Sequence, residues 1–333
     1  MAAPLRVVSF GLGPIGLATA RLALTKKSIQ LVGAIDVDPL KAGRDLGDLL
    51  EMERMTGIIV SADADATLGK LKPDAILHCT SSFMPRVKDQ LMLCCKHGVN
   101  VVSSTEELLL PTLQHPDLAK EIDAAARKGD ITILGTGVNP GFVMDTVAVL
   151  ATGACHSVSK IDCRRVVDAG TRRLPLQKKV GAGISKEEFQ KQLATGTFGH
   201  IGMRESIALI GKACGWTLDS ITQSVEPVVA ERDVKTRYLT VKKGQVAGIW
   251  NRGLGKEGDK VRIEMDLKMY VGAPEPMDEV QIEGTPPMHL RLIGGTPGDL
   301  ATAAMLVNML PRVVNAPAGL LTMLDVPVPG IVV

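Results

Sequence analysis

Residues 11–16 read Gly-Leu-Gly-Pro-Ile-Gly, directly after the apolar run Leu5–Phe10 and at the start of a segment with helical spacing. A strand, a glycine turn and a helix in that order restrict the opening of the chain to very few folds. Gly11 makes the tight turn, Gly13 lets backbone amides approach a pyrophosphate, and Gly16 lets the helix pack closely on the strand. Pro14 and Ile15 open the helix, whose exposed amides and dipole attract an anion. An acid, Asp36, ends the next apolar run, Gln30–Ile35. In this arrangement such an acid accepts hydrogen bonds from the ribose hydroxyls of a dinucleotide, which favours NAD. Lys41 and Arg44 follow closely. They either neutralise the additional phosphate of NADP or are solvated helix charges, so the cofactor is NAD or NADP.

The same alternation continues to residue 134. Apolar runs at Gly57–Val60, Ala75–Cys79, Asn100–Val102 and Thr132–Leu134 alternate with helical patterns at Ile15–Thr25, Pro85–His97 and Asp117–Lys128. Continuous Val/Ile/Leu runs mark strands covered on both faces, hence a parallel, doubly wound sheet. Beyond about residue 150 the period changes. Val261, Ile263, Met265, Leu267 and Met269 alternate strictly with polar residues, as in a strand with one wet face. Hairpins are expected around Lys242–Gln245 (joining Tyr238–Val241 to Val246–Trp250) and around Gly284–Pro287 (joining Val280–Glu283 to His289–Leu292). Helices are expected at Lys186–Leu193 and Ile201–Cys214, and again from Pro297, as first residue, to Val314. The fold class is therefore α/β: an N-terminal Rossmann domain over 1–140, an α+β domain with a largely antiparallel sheet over 141–295, and a C-terminal helical segment, 296–333, packing back on the first domain.

Length and composition remove several function classes. The chain has 333 residues, enough for two domains. A net charge of +2 and 3% aromatic residues give no electrostatic or stacking case for nucleic acid. The run after Arg6 resembles a secretory signal, but its spaced glycines already have a better explanation. No apolar stretch reaches the roughly 18 residues of a membrane span. The six cysteines form no C-x-x-C pair, and no His/Cys cluster has metal spacing. Buried thiols in a reducing cytoplasm are expected, and the histidines read as structural.

Three further segments lie where strands of such a sheet end. Thr80, Ser81 and Ser82 follow Ala75–Cys79, and either line the cofactor cleft or cap the helix near Pro85. Ser104, Thr105, Glu106 and Glu107 follow Asn100–Val102 at the expected nicotinamide end. They are either catalytic or, with Ser104 as cap, first-turn acids. The loop from Gly135 to Phe142 follows Thr132–Leu134. It presents Asn139 and Pro140 to a nicotinamide carboxamide and Thr136, Val138 and Phe142 to a substrate, or it is a linker with Asn139 as a helix cap. The basic set Arg164, Arg165, Arg172, Arg173, Lys178 and Lys179 reads as solvated or interfacial charge, the alternative being a carboxylate site. Met265, Met269 and Met288 read as core.

Taken together, Gly11–Gly16, Asp36–Pro39 with Gly43–Asp45, Ser103–Leu108, Gly135–Asp145, Arg165–Asp168 with Arg172 and Arg173, Gly199–Glu205, and Gly294–Asp299 with Asn315–Leu320 resemble the NAD(P)-dependent native amine dehydrogenases and 2,4-diaminopentanoate dehydrogenases, a group related to dihydrodipicolinate reductase. Thr105 departs from the Cys of relatives. The resemblance implies a homodimer that interconverts a small amine with a ketone and ammonia. It also implies that one glutamate serves the reacting nitrogen: Glu106, with Glu107 as runner-up. A carboxylate there can take the ammonium proton and stabilise the iminium. A reductase of cyclic imine carboxylates would carry a His-His and Lys-rich motif that is absent from the sequence. A nucleotide-sensing protein without turnover would have no use for the acidic pair.

Overall fold

The computed structural model describes residues 3–194 and 200–333. In chain order the elements are β1 (Leu5–Phe10), α1 (Pro14–Ala23), β2 (Ile29–Ile35), α2 (Leu46–Leu49), β3 (Val60–Ser61), α3 (Ala64–Leu71), β4 (Ala75–His78), α4 (Met84–His97), β5 (Asn100–Ser103), α5 (Pro116–Lys128), β6 (Thr132–Gly135) and α6 (Thr146–Thr152). There follow β7 (Ser157–Asp168), α7 (Leu174–Lys179), α8 (Lys186–Ala194), α9 (Met203–Ala213), β8 (Ser220–Val229), β9 (Val234–Lys235), β10 (Thr240–Val241), β11 (Val246–Glu257), β12 (Lys260–Tyr270), β13 (Met277–Thr285), β14 (Met288–Ile293), α10 (Gly298–Val314) and β15 (Gly319–Leu321). They form two compact units, Met1–Phe142 with Pro297–Val333, and Val143–Thr296. No helix among the described residues is long and apolar enough to cross a membrane.

The first unit is a seven-stranded parallel sheet in the order β15-β6-β5-β4-β1-β2-β3. Strand order reverses between β1 and β4, the position where ligands bind beyond the carboxyl ends in open α/β sheets. Phe10 pairs with His78, His78 with Ser103, and Ser103 with Gly135, so the four following loops leave the sheet at one edge. Below that edge, Val8, Ile76, Val101 and Ile133 pack against Val87 and Leu91 of α4 and Ile122 of α5. Leu91 is fully buried, and its truncation to Ala would cost about 2–5 kcal/mol.

Three local expectations fail here. The strand expected at Gly57–Val60 shrinks to Val60–Ser61 because Asp45 takes the preceding amides: its carboxylate accepts Thr56 N–H at 2.9 Å and Gly57 N–H at 2.8 Å. The tail is not only helical. After α10, which packs on α1 and over β4, β5 and β6, the short strand β15 pairs with β6. Three residues are too few to show a period. Pro297 is the residue before α10 rather than its first.

The second unit holds a six-stranded sheet in the order β14-β13-β7-β12-β11-β8. Only the β7–β12 pair is parallel; the others are antiparallel. Ile263, Met265 and Leu267 are buried on one face, as the alternation requires. Helix α9 lies against β11 and β12. Gly253 and Gly255 make room for it: a Cβ at either would sit 2.7 Å from a methyl group of Ile207. The β13–β14 hairpin is present, with Ile282 opposite Met288. Met288 itself is only half-buried, as is Met269.

The expected Tyr238–Val241/Val246–Trp250 hairpin does not form. Thr236 captures Tyr238 N–H and Leu239 N–H through its hydroxyl, at 3.1 and 3.0 Å, folding β10 back onto β9. β11 instead pairs with β8 and β12. The basic set also needs correction. Arg165 is not solvated: it lies on the buried face of β7, 3% exposed, ion-paired with Asp278 and donating to Thr296 O at 2.7 Å. Arg164, its neighbour on the opposite face, is exposed.

Candidate active site

The glycine loop is shaped by contacts that leave no room for side chains. Gly11 has φ +89°, and a Cβ there would lie 2.5 Å from Cys79 O. A Cβ on Gly16 would lie 1.8 Å from Gly11 O. Gly13 is different: a Cβ would meet nothing within 4 Å, so the space beside it is open. Gly13 is also the N-cap of α1 and supplies no side-chain cap, while Pro14 opens the helix without needing a partner for its nitrogen. An uncapped helix start beside open space fits a dinucleotide pyrophosphate.

Asp36, one residue past β2, closes this loop. Its Oδ2 accepts Leu12 N–H at 2.7 Å and its Oδ1 accepts Asp38 N–H at 2.9 Å. Lys41 Nζ stands 3.0 Å from Asp36 Oδ2 and 3.3 Å from Asp38 Oδ2. Partial burial alone would raise the Asp36 pKa. The Asp38 and Leu12 amides and the Lys41 ammonium outweigh it and hold the carboxyl below its ordinary value. Lys41 is therefore not a solvated helix charge; residues 39–44 form a turn, with Arg44 exposed.

At the ends of β4 and β5 the side chains form a buried polar chain. His78 Nδ1 lies 2.8 Å from Ser103 Oγ, and Nε2 lies 2.7 Å from Gln90 Oε1. The chain continues at both ends: Ser103 Oγ donates to Thr105 Oγ1 at 3.0 Å, and Gln90 Oε1 also accepts from Thr80 Oγ1. Burial pushes the His78 pKa down to about 4, so the ring is neutral. Thr80 Oγ1 is thus engaged with Gln90 at 2.7 Å rather than acting as a cap. The residue before α4 is Phe83, which offers no side-chain cap; Ser81 Oγ accepts Phe83 N–H at 3.3 Å. Ser104 does not cap the turn that carries the acids, since that position is Thr105. Its hydroxyl bonds the Cys79 thiol, whose pKa burial raises to about 11. Cys79, Cys155 and Cys214 are half-buried rather than buried.

The two acids separate sharply. Both lie on the 3-10 turn Glu106–Leu109. Glu107 is not a solvent-facing acid: it is 6% exposed, its Oε2 accepts Met84 N–H at 2.6 Å, and His115 Nε2 stands 3.3 Å away. It supplies the cap that α4 lacks. Glu106 is half-buried.

The loop after β6 approaches the same turn. A Cβ on Gly135 would lie 2.5 Å from Leu108, and Thr136 N–H donates to Ser103 O at 2.8 Å. Gly141, at φ +121°, folds back so closely that a Cβ would lie 2.4 Å from Gly137 N. The Asn139–Pro140 bond is cis. Val138 is buried, Phe142 half-buried, and Val138 N–H donates to Thr302 Oγ1 at 3.3 Å. Asn139 is not the cap of α6, which is Asp145. Thr136 Oγ1 is buried without a partner among the described residues. Sequence reasoning missed Gln90, whose only signal is a polar side chain three residues past buried Val87 on α4. It also missed His115. Gly199 of the family-like stretch Gly199–Glu205 lies outside the described residues.

The chain is similar to known proteins along nearly its whole length. A family model described as the 2,4-diaminopentanoate dehydrogenase C-terminal domain matches residues 142–333. A 2,4-diaminopentanoate dehydrogenase of Acetoanaerobium sticklandii is 38% identical, over 97% of this chain and 94% of that protein. An amine dehydrogenase of Streptomyces virginiae is 23% identical, over 96% and 95%. The structure of an amine dehydrogenase from Mycobacterium smegmatis superposes with a TM-score of 0.84 at 29% identity, covering 97% of this chain and 96% of that one. The chain belongs to the 2,4-diaminopentanoate dehydrogenase family and is a nicotinamide-dependent oxidoreductase acting on amines.

Proposed function

We propose that this protein oxidises a small aliphatic primary amine to a ketone and ammonia, and runs the reverse reductive amination, with Glu106 as the group at the reacting nitrogen. The observation that carries the assignment is the commitment of Glu107 to Met84 N–H. It directs the role at nitrogen to Glu106, on the same turn at the carboxyl end of β5. The bound nicotinamide dinucleotide supplies the hydride acceptor in one direction and the donor in the other. Glu106 takes a proton from the substrate ammonium and releases it to solvent, so that the neutral amine loses hydride from its carbon beside a carboxylate that is again ionised. It then stabilises the resulting iminium and guides water to it. Loss of ammonia from the carbinolamine completes the oxidation. In reverse the same carboxylate orients ammonia and protonates the departing oxygen.

The glycine loop and the uncapped start of α1 support pyrophosphate binding at Gly11, Gly13, Pro14, Ile15 and Gly16. Asp36 supports ribose binding and a preference for NAD. Thr136, with its unspent buried hydroxyl, and Val138 and Phe142 support a small, mostly apolar substrate end. Asn139 and Pro140 would face the carboxamide, and the protein would act as a homodimer.

The test is nicotinamide absorbance in both directions with NAD and NADP. The panel contains 2,4-diaminopentanoate, simple secondary-carbon amines, the matching ketones with ammonia, and a cyclic imine carboxylate. Turnover of amines is expected. Turnover of the cyclic imine alone, or of nothing, would overturn the reading.

A further inference from the structure

Glu106 sits between two residues that are both tied to the same neighbouring loop. On one side, Thr105 Oγ1 donates to Ser81 O at 2.7 Å, and Thr105 N–H donates to Ser103 Oγ at 3.1 Å. On the other, Glu107 Oε2 accepts Met84 N–H at 2.6 Å and Glu107 N–H reaches Ser82 O at 3.3 Å. Thr105 is 1% exposed and Glu107 6%, so neither bond competes with bulk water. The Glu107 carboxylate also faces the positive end of the α4 dipole, with His115 Nε2 3.3 Å from its Oε2. Ser103 is in turn held by His78 at 2.8 Å. A 3-10 turn has weak hydrogen-bond geometry of its own and holds its shape poorly without outside ties.

We propose that Thr105 and Glu107 are positioning residues for Glu106, lashing the turn that carries it to the Ser81–Met84 loop and so setting where its carboxylate stands. The inference rests on the reading of Glu106 given above. It makes the second acid of the pair part of the catalytic geometry without proton transfer of its own. A displacement of about 1 Å at a reacting group is enough to cost about 10²-fold in rate, so the ties act on turnover far more than on cofactor binding.

The test uses Glu107→Ala, Glu107→Gln, Thr105→Val and, in parallel, Glu106→Gln, with the fastest amine of the panel above. Cofactor binding is measured by calorimetry and folding by circular dichroism. Glu107→Ala should lower kcat by about 10- to 100-fold, with amine KM and cofactor Kd nearly unchanged. Glu107→Gln keeps an acceptor for Met84 N–H and should restore most of the loss. Thr105→Val, which deletes one donor at constant shape, should cost about 2- to 10-fold. Full kcat in a folded Glu107→Ala protein would overturn the proposal. So would a Gln variant as inactive as the Ala variant, since that would assign the charge itself to chemistry. If Glu107→Ala fails to fold, full kcat in Thr105→Val together with inactive Glu107→Gln overturns it instead. Full activity in Glu106→Gln sinks the parent reading separately.

Discussion

Lys41 Nζ stands 3.0 Å from Asp36 Oδ2, the same oxygen that accepts Leu12 N–H at 2.7 Å. The acid that should meet the ribose is therefore also a strut of the glycine loop, and its charge is partly offset by a lysine on the turn that follows. That couples cofactor choice to loop shape. Lys41→Met should weaken NADP about tenfold relative to NAD, because an ammonium is the natural partner for the additional phosphate. Asp36→Asn keeps an acceptor for Leu12 N–H while removing the negative charge, and should shift preference toward NADP. Calorimetric Kd values for both cofactors read the effect directly. Ratios that do not move in either variant would mean that neither side chain faces the ribose.

Gly13 and Gly16 should respond oppositely to substitution. Gly13 has open space where a side chain would go, and its φ of −67° suits any residue. Gly13→Val should unfold at the parent temperature yet lose the stabilisation that NAD or NADP confers. Gly16→Ala drives a Cβ to 1.8 Å from Gly11 O and should lower the melting temperature before any cofactor is added. Retained cofactor stabilisation in Gly13→Val would refute the placement of the pyrophosphate.

Acid should destabilise the protein through His78. The ring is neutral in the fold, with a pKa near 4 against an ordinary 6.5. Between those values the unfolded chain binds the proton and the folded chain does not, so stability is full above pH 6.5 and falls as pH drops toward 4. The total is on the order of 3 kcal/mol. His200 is half-buried with its Nε2 shut off from solvent; desolvation pushes its pKa down to about 3, which adds a similar slope. Urea titrations at pH 7 and pH 5 should show a smaller acid loss for His78→Gln than for the parent. Equal losses would mean that His78 is protonated in the fold.

What was legible beforehand follows from how local each signal is. Gly11–Gly16 and Asp36 carry their meaning in spacing alone. The β13–β14 turn is equally local. β7, one of the two central strands of the second sheet, went unread because its inward row is Ile161, Cys163 and Arg165, and a charged residue in a buried row breaks the alternation. Arg165 is tolerated only because Asp278, on the adjacent strand, pairs with it. A buried pair of this kind is invisible in sequence and costs about 3–5 kcal/mol when one partner is removed. The acidic pair shows the same limit. Successive residues of a 3-10 turn point about 120° apart, so two adjacent glutamates diverge and only one of them meets Met84 N–H. Which one depends on where α4 begins, and that is a tertiary fact.

Glu106→Gln is the decisive substitution. The variant keeps the shape and hydrogen-bonding reach of the side chain and removes its charge and basicity. If Glu106 takes the ammonium proton and stabilises the iminium, both contributions vanish together, and turnover should fall by roughly 10²–10⁴-fold. Cofactor affinity should hardly change, because the nucleotide contacts proposed above belong to the glycine loop and Asp36. Steady-state rates in both directions, with cofactor Kd measured separately, decide it. Parent-level turnover in Glu106→Gln would remove the carboxylate from the mechanism. Loss confined to Glu107→Gln would keep the mechanism and move the base by one residue, at the expense of the clamp that Glu107 forms with Met84.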